Sequence, residues 1–227
     1  MFKRPHHQRI EKVLQSLDGE LLLQYQCFFG GGTAIALQLE EFRESIDIDF
    51  LCASSEGYKA LINTVSNVQL GKLEKQPLKH LRDIRFDRYG VRTFVEVDGT
   101  PIKLEFVRED RIHISGHKIT GLPVPILSLE DMYAEKLLAN ADRGLDQSQF
   151  NRDLIDLAML VHHHGPIPSN AWEKVIDAYG DHVKTALQKT LQHFKQDKAY
   201  FQKCLEQMQM SPELGTKIIN AMNTLSA

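Results

Sequence analysis

Two aspartates, Asp47 and Asp49, stand one residue apart in the run Ser45-Ile46-Asp47-Ile48-Asp49-Phe50. In a strand alternate side chains share a face, so both carboxylates point one way while Ile48 and Phe50 point the other. At the usual strand rise their Cα atoms lie roughly 7 Å apart, near enough for both to reach one or two divalent cations. Neighbouring acids in an apolar strand repel each other. A cation turns that repulsion into binding, and hard carboxylate oxygens suit Mg²⁺. Upstream, Gly30, Gly31 and Gly32 precede Thr33 and a short apolar segment. Glycines let backbone approach a ligand closely, and the amides that open a helix favour an anion. A phosphate cradle beside a metal-binding carboxylate pair is the equipment of phosphoryl or nucleotidyl transfer. A lone Asp-x-Asp more often means a surface strand with solvated acids; the glycine run upstream favours the chemical reading.

Further charged positions could join this pair. Arg43 leads into it and suits either a phosphate or a carboxylate such as Glu40 or one of the aspartates. Glu105 alternates with Ile102, Leu104 and Phe106 and faces away from them, while Glu96 does the same on the other arm of a hairpin. Lys136, Asn140 and Arg143 fall within about 60° of one another on a helical wheel, opposite Ala134, Leu138, Ala141 and Leu145. Asp153 and Asp156 share one side of the next helical segment, opposite Leu154, Leu157 and Val161. Such a set can bind a triphosphate, with an aspartate orienting the cation. It can equally be two amphipathic helices laced by surface ion pairs.

The elements that must position these residues change character near Pro123–Ile126. Strand-like runs dominate before it and helical patterns after it, giving an expected α/β domain over 1–125 and a helical domain over 126–227. A helix is predicted over about His7 to Leu17, and another from Thr33 to Glu40 after the glycine loop. Asp98-Gly99 marks a hairpin, with Thr100-Pro101 suggesting a turn longer than two residues. In the second half, helices are predicted up to Arg143, stopped by Gly144, and from Arg152 to His163, closed by Gly165-Pro166. Asp181 is placed to cap a helix through Phe194, and Ser211-Pro212 to start a last one.

Hydrophobic residues at 42%, charged residues at 25% and a net charge of −3 describe an ordinary globular chain and argue against bulk coating of nucleic acid. Cys27, Cys52 and Cys204 follow no metal-binding spacing and read as reduced, buried thiols. No apolar run approaches a membrane span and the N-terminus lacks a signal-peptide core, so a cytoplasmic protein is expected. His162-His163-His164 cannot chelate one ion from a regular helix and fits a helix C-terminus. From Lys72 to Arg92 seven basic residues face three acidic ones, a local +4 with Phe86 and Tyr89 interleaved. That stretch suits RNA phosphates, or is a solvated edge.

Together, Gly31-Gly32-Thr33, Arg43-x-Ser-x-Asp47-x-Asp49-Phe50, the Lys136-Leu137 helix and Arg152-Asp153-Leu154-x-Asp156-Leu157 resemble the AbiEii/AbiGii nucleotidyltransferase toxins of abortive-infection and toxin–antitoxin systems. These belong to the DNA polymerase β-like nucleotidyltransferases. The motifs cover about residues 28–165. The resemblance implies an α+β fold: a nucleotidyltransferase domain with a mixed sheet, then an all-helical domain that completes the active-site cleft. It implies Asp47 and Asp49 as metal-binding acids, with Glu105, or else Glu96, as a third carboxylate on a later strand. Gly31 and Gly32, with Thr33 where the superfamily usually has serine, would face phosphate. Lys136 would contact the nucleotide phosphates and Asp153 would be the acid of the last motif, with Arg152 beside it and Asp156 one turn later; Arg43 and Arg143 join them as nucleotide-binding candidates on their positions alone. Mg²⁺, an NTP, an RNA acceptor such as a tRNA 3′ end and a cognate antitoxin follow as expected cofactor, substrates and partner. Transfer to a small molecule such as an antibiotic, or a nucleotide-binding regulator without catalysis, are the alternatives.

Overall fold

The alternation on either side of Asp98 is built as two long antiparallel strands at the centre of the first of two compact units. The computed structural model describes residues 2–225. One unit runs up to Ala34 and resumes over Ser45–Ser128; the other comprises Ile35–Glu44 and the described residues from Leu129.

The first unit contains α1 (Pro5–Ser16), α2 (Gly19–Gln24), β1 (Cys27–Gly30), the start of α3 (Gly31–Gln38), β2 (Ile48–Cys52), α4 (Ser55–Ile62), β3 (Lys79–His80), β4 (Arg85–Phe86), β5 (Gly90–Val97), β6 (Thr100–Arg108), β7 (Gly116–His117) and β8 (Ile126–Leu127). The strands form one mixed sheet in the order β3-β5-β6-β2-β1-β8-β7, with β4 also on β5. The β2–β6 and β1–β8 pairs are parallel and the others antiparallel. Val91, Thr93 and Val95 of β5 and Ile102, Leu104 and Phe106 of β6 are buried, leaving Arg92, Phe94, Lys103 and Glu105 on the opposite, open face. Phe29, Phe50 and Phe106 pack across three strands, the first two rings tilted at a separation of 5.7 Å and the last two stacked at 4.9 Å. Burying each such ring contributes about 1.5–3 kcal/mol. Helix α1 brings Ile10, Val13 and Leu14 to the same core and contacts β5.

Local outcomes differ from the sequence expectations in several places. Val97 pairs with Thr100, so Asp98 (φ 50) and Gly99 (φ 74) form a two-residue turn. The missing N–H of Pro101 is harmless there, because its pair with Glu96 is the second from the turn, where no hydrogen bonds cross the hairpin. Helix α3 begins at Gly31, and ends at Gln38 ahead of Glu40 and Glu41, both of which take left-handed backbone. Strand β2 begins at Ile48, which leaves Asp47 as the last residue of the loop before it.

The second unit holds the rest of α3 with α5 (Leu129–Arg143), α6 (Arg152–His164), α7 (Ser169–Tyr179), α8 (His182–Gln196), α9 (Lys198–Gln207) and α10 (Leu214–Leu225). Helix α5 packs against α6, α7 and α8, and α6 against α10. Gly144 follows α5 where a Cβ would lie 2.5 Å from the Asn140 carbonyl oxygen, and Gly165 (φ 93) caps α6. The three histidines form the exposed last turn of α6. Leu145, expected to pack inward, is 58% exposed because α5 ends two residues before it. Ile126–Leu127 belong with the sheet and Ile35–Glu44 with the helices, a membership that crosses any single cut in the chain. No described helix is long and apolar enough to cross a membrane.

Candidate active site

Strand β2 stands between β1 and β6, and this register assembles the acidic side of the site. Gly30 is the Cα partner of Asp49 in the β1–β2 pair, and Glu105 is its partner in the β2–β6 pair. Cross-strand partners share a face, so the Asp49 and Glu105 carboxylates stand side by side on the open face. Glu96 lies elsewhere on that face: it pairs with Pro101 across the hairpin and binds the ammonium of Lys79 at 2.6 Å. Glu105 is itself held by Lys103 at 2.5 Å and Arg92 at 3.3 Å. Neither cation was anticipated; both follow from the period-two alternation once the register is known.

Gly31 meets the same carboxylate from the other side. Its φ is +69°, and a Cβ there would sit 2.7 Å from Oδ2 of Asp49. Only glycine satisfies both the backbone and the approach. Gly32 follows in the first turn of α3, so this helix opens at the residue that approaches Asp49.

A hydroxyl and two imidazoles hold the loop that carries Asp47. Thr33 is buried, and its Oγ1 donates to the Asp47 carbonyl oxygen while lying 2.8 Å from Oγ of Ser45. The Ser45 amide donates to Nε2 of buried His7 at 3.2 Å, and Nε2 of His6 bonds the Ile46 carbonyl at 3.1 Å. Thr33 thus reaches the backbone of the aspartate loop, and α1 supplies two tethers that no sequence motif announced. No hydrogen bond or ion pair engages the Asp47 carboxylate among the described residues.

In the helical unit the charged faces of α5 and α6 are turned inward. Nζ of Lys136 lies 2.8 Å from Oδ1 of Asp153 and 2.6 Å from Oδ2 of Asp156. Arg43 grips Asp156 through Nε at 2.6 Å and Nη2 at 2.9 Å, and Arg143 grips Asp153 through Nε at 2.7 Å and Nη2 at 3.1 Å. Of Arg43's alternatives, the structure realises a carboxylate, and that carboxylate is Asp156. The side chains of Arg43, Lys136, Asp153 and Asp156 are all buried, whereas Arg143 is 42% exposed. These are not surface ion pairs, because α5 is covered on several sides by α6, α7 and α8. Burial alone would raise the Asp153 carboxyl; Lys136 and Arg143 more than reverse this and hold it far below the ordinary carboxylate range. Burial would lower Lys136, and the charges of Asp153 and Asp156 overcome it and raise the ammonium above its usual value. Three cations thus surround two carboxylates. Asn140, between Lys136 and Arg143 on the same helix, is buried with both amide atoms lacking a hydrogen-bond partner among the described residues.

The donor chemistry on β2 and β6 is oxygen only. Among the described residues no group of three or more His, Cys, Asp or Glu side chains is placed to hold a metal ion. Mg²⁺ does not need one: it binds through one or two carboxylates and takes its other oxygens from water and substrate phosphates. Asp47 and Asp49 are donors of that kind, while a set of three with Glu105 is not assembled among the described residues.

A family model described as nucleotidyl transferase AbiEii toxin, type IV TA system, matches residues 13–220. Among solved structures, JHP933 from Helicobacter pylori is 15% identical and similar over 100% of this chain and 94% of its own, with a TM-score of 0.55. An antigenic nucleotidyltransferase-like protein from Paracoccidioides brasiliensis is 16% identical over 93% of this chain and 92% of its own, with a TM-score of 0.51. At these identities the likeness is one of fold: a mixed sheet with a helical C-terminal region. No curated protein matches. The family match spans most of the sequence, including every acid and cation described above, and the chain accordingly belongs to the AbiEii nucleotidyl transferase toxin family and is a nucleotidyltransferase.

Proposed function

We propose that the protein transfers a nucleoside monophosphate from an NTP to the 3′ end of an RNA, as the toxin of a toxin–antitoxin pair with a cognate antitoxin. The observation that carries this reading is the convergence of Asp49 on Gly31, Gly30 and Glu105, with Asp47 two residues before it in the loop that leads into β2. Asp47 and Asp49 would hold Mg²⁺, which when bound neutralises the triphosphate and polarises its α-phosphate. The first amides of α3 bind phosphate oxygens, and Gly31 keeps the approach open. Thr33 sets the Asp47 backbone. In the helical unit Asp153, held by buried Lys136, orients the half-exposed guanidinium of Arg143. The acceptor hydroxyl attacks the α-phosphorus, the new P–O bond replaces the bond to the β-phosphate, and pyrophosphate leaves. The hydroxyl proton passes to a carboxylate of the site. The basic Lys72–Arg92 stretch supports an RNA acceptor, since a small acceptor has no use for it.

The test is incubation of the purified protein with total RNA, Mg²⁺ and each NTP radiolabelled at the α-phosphate, beside Asp49→Ala. Label entering RNA from one NTP, absent with the variant, is the expected result. Transfer undiminished in Asp49→Ala would sink the site assignment, and label found only in small molecules would sink the RNA acceptor.

A further inference from the structure

The open face of the sheet continues beyond Glu105 onto a surface that the nucleotide chemistry does not use. Register sets Asp49, Glu105, Arg92 and Arg85 in one row across β2, β6, β5 and β4. At a strand spacing of about 4.8 Å, Arg85 stands roughly 14 Å from Asp49. The neighbouring row on the same face holds Lys103 and Phe94, and the Leu81 amide bonds the Phe94 carbonyl at the β3 edge. The guanidinium of Arg82 lies 4.2 Å from the centroid of the Phe94 ring.

Charge and shape on this surface are specific. Arg82 and Arg85 are exposed, and among the described residues no carboxylate pairs with either. Leu81 is 44% exposed beside them. Unneutralised guanidinium groups suit a phosphate backbone, and a guanidinium held over an aromatic ring joins it in a platform on which an unpaired base can stack. A double helix keeps its bases stacked on one another and offers none to such a platform. The row begins at the carboxylates where the acceptor hydroxyl must arrive.

We propose that this face of β3–β6 is the acceptor track. It takes a single-stranded RNA 3′ end whose last hydroxyl reaches Asp49 and Glu105 and whose preceding nucleotides lie along Arg92, Phe94–Arg82 and Arg85. The inference rests on Asp47 and Asp49 being the reactive centre, and it adds a requirement that the 3′ end be unpaired.

Two RNAs of the same 3′ sequence, one ending in a single-stranded overhang and one in a blunt duplex, provide the test with the full-length protein. Binding is read by fluorescence anisotropy without NTP, and transfer by KM for RNA and for NTP. The overhang RNA is expected to bind at least about tenfold more tightly than the blunt one, the scale of one base stack. Arg82→Glu and Arg85→Glu should each raise KM for RNA about tenfold and lower the salt dependence of binding, with KM for NTP unchanged. Both are surface changes that leave the core intact, and Lys184→Glu on α8 controls for charge. Phe94→Leu should weaken binding while keeping apolar bulk. Equal binding of the blunt duplex, or unaltered RNA binding and KM in both arginine variants, overturns the track even if transfer itself is intact. Anisotropy needs no turnover, so absence of transfer counts against the reactive centre and leaves the track to be judged by binding.

Discussion

A methyl group on Gly31 would sit 2.7 Å from Oδ2 of Asp49, closer than real Cβ contacts come, on a residue whose φ of +69° already disfavours any side chain. The glycine and the aspartate are therefore one feature: the backbone that opens α3 is pressed against the carboxylate on β2. Gly31→Ala must move one or the other. Displacement of about 1 Å at a reactive group can cost about a hundredfold in rate. The variant is expected to lose about that much kcat while its circular dichroism matches the parent, since the left-handed penalty is only about 1–2 kcal/mol.

Thr33 is expected to act through Asp47 and not through substrate. Thr33→Val keeps the shape but removes the donor to the Asp47 carbonyl, at a cost of about 1–3 kcal/mol for the unsatisfied buried group. A fall of kcat by about tenfold with KM for NTP unchanged, and its recovery in Thr33→Ser, would be the signature. A rise in KM for NTP alone would place the hydroxyl on the nucleotide instead.

Glu105 and Glu96 separate by register, and steady-state kinetics can check the separation. Glu105→Gln should lower activity more than about tenfold and raise the Mg²⁺ concentration for half-maximal rate, as loss of a charged ligand neighbour does. Glu96→Gln breaks only its pair with exposed Lys79 and should stay within about twofold. Equal effects would place the third carboxylate outside β6.

The buried network of the helical unit predicts a pH profile of stability. Asp153, depressed in the fold, contributes stability that is present above its unfolded value of about 3.9 and is lost as pH falls through the lower folded value. Lys136, raised in the fold, contributes stability that is complete below about 10.4 and is lost as pH rises through its higher folded value. Thermal unfolding followed between those limits should be level and should decline beyond either. Asp153→Asn should cost about 3–5 kcal/mol, because it leaves Lys136 and Arg143 short of a buried counter-charge. A melting temperature unchanged in that variant would contradict the network's structural role.

The three thiols should be silent in the native protein. Cys27 and Cys52 are buried cross-strand partners, and burial pushes Cys27 up; burial likewise pushes Cys204 up to about 11. A thiolate reagent at mildly alkaline pH should titrate none of them before unfolding and all three after it. Rapid native labelling of any one would show that its strand or helix opens.

Side-chain direction in a strand is a local property, so the period-two alternation alone put Asp49 and Glu105 on non-core faces and Phe50 and Phe106 on the core face. The glycine run was legible for a similar reason: a positive φ and a close approach leave glycine as the residue that fits. Helix stops at Gly144 and Gly165 were legible too. The charged faces of α5 and α6 were visible as faces, yet amphipathic periodicity cannot tell a solvated stripe from one that other helices will cover. Packing of α6, α7 and α8 around α5 decided that Lys136 and Asp153 lie inside, and it matched Arg43 with Asp156. Register is likewise non-local. Nothing near Asp49 specifies that β6, and not β5, lies beside β2, and with it that Glu105 and not Glu96 becomes the neighbour. The imidazoles of His6 and His7 reach the aspartate loop from the first helix, a contact that no spacing in the chain encodes. The sequence by itself determined which residue types face which way and what chemistry they suit. Which of them meet was decided by strand pairing and helix packing, whose free energy is summed over the whole core and is not written at any one site.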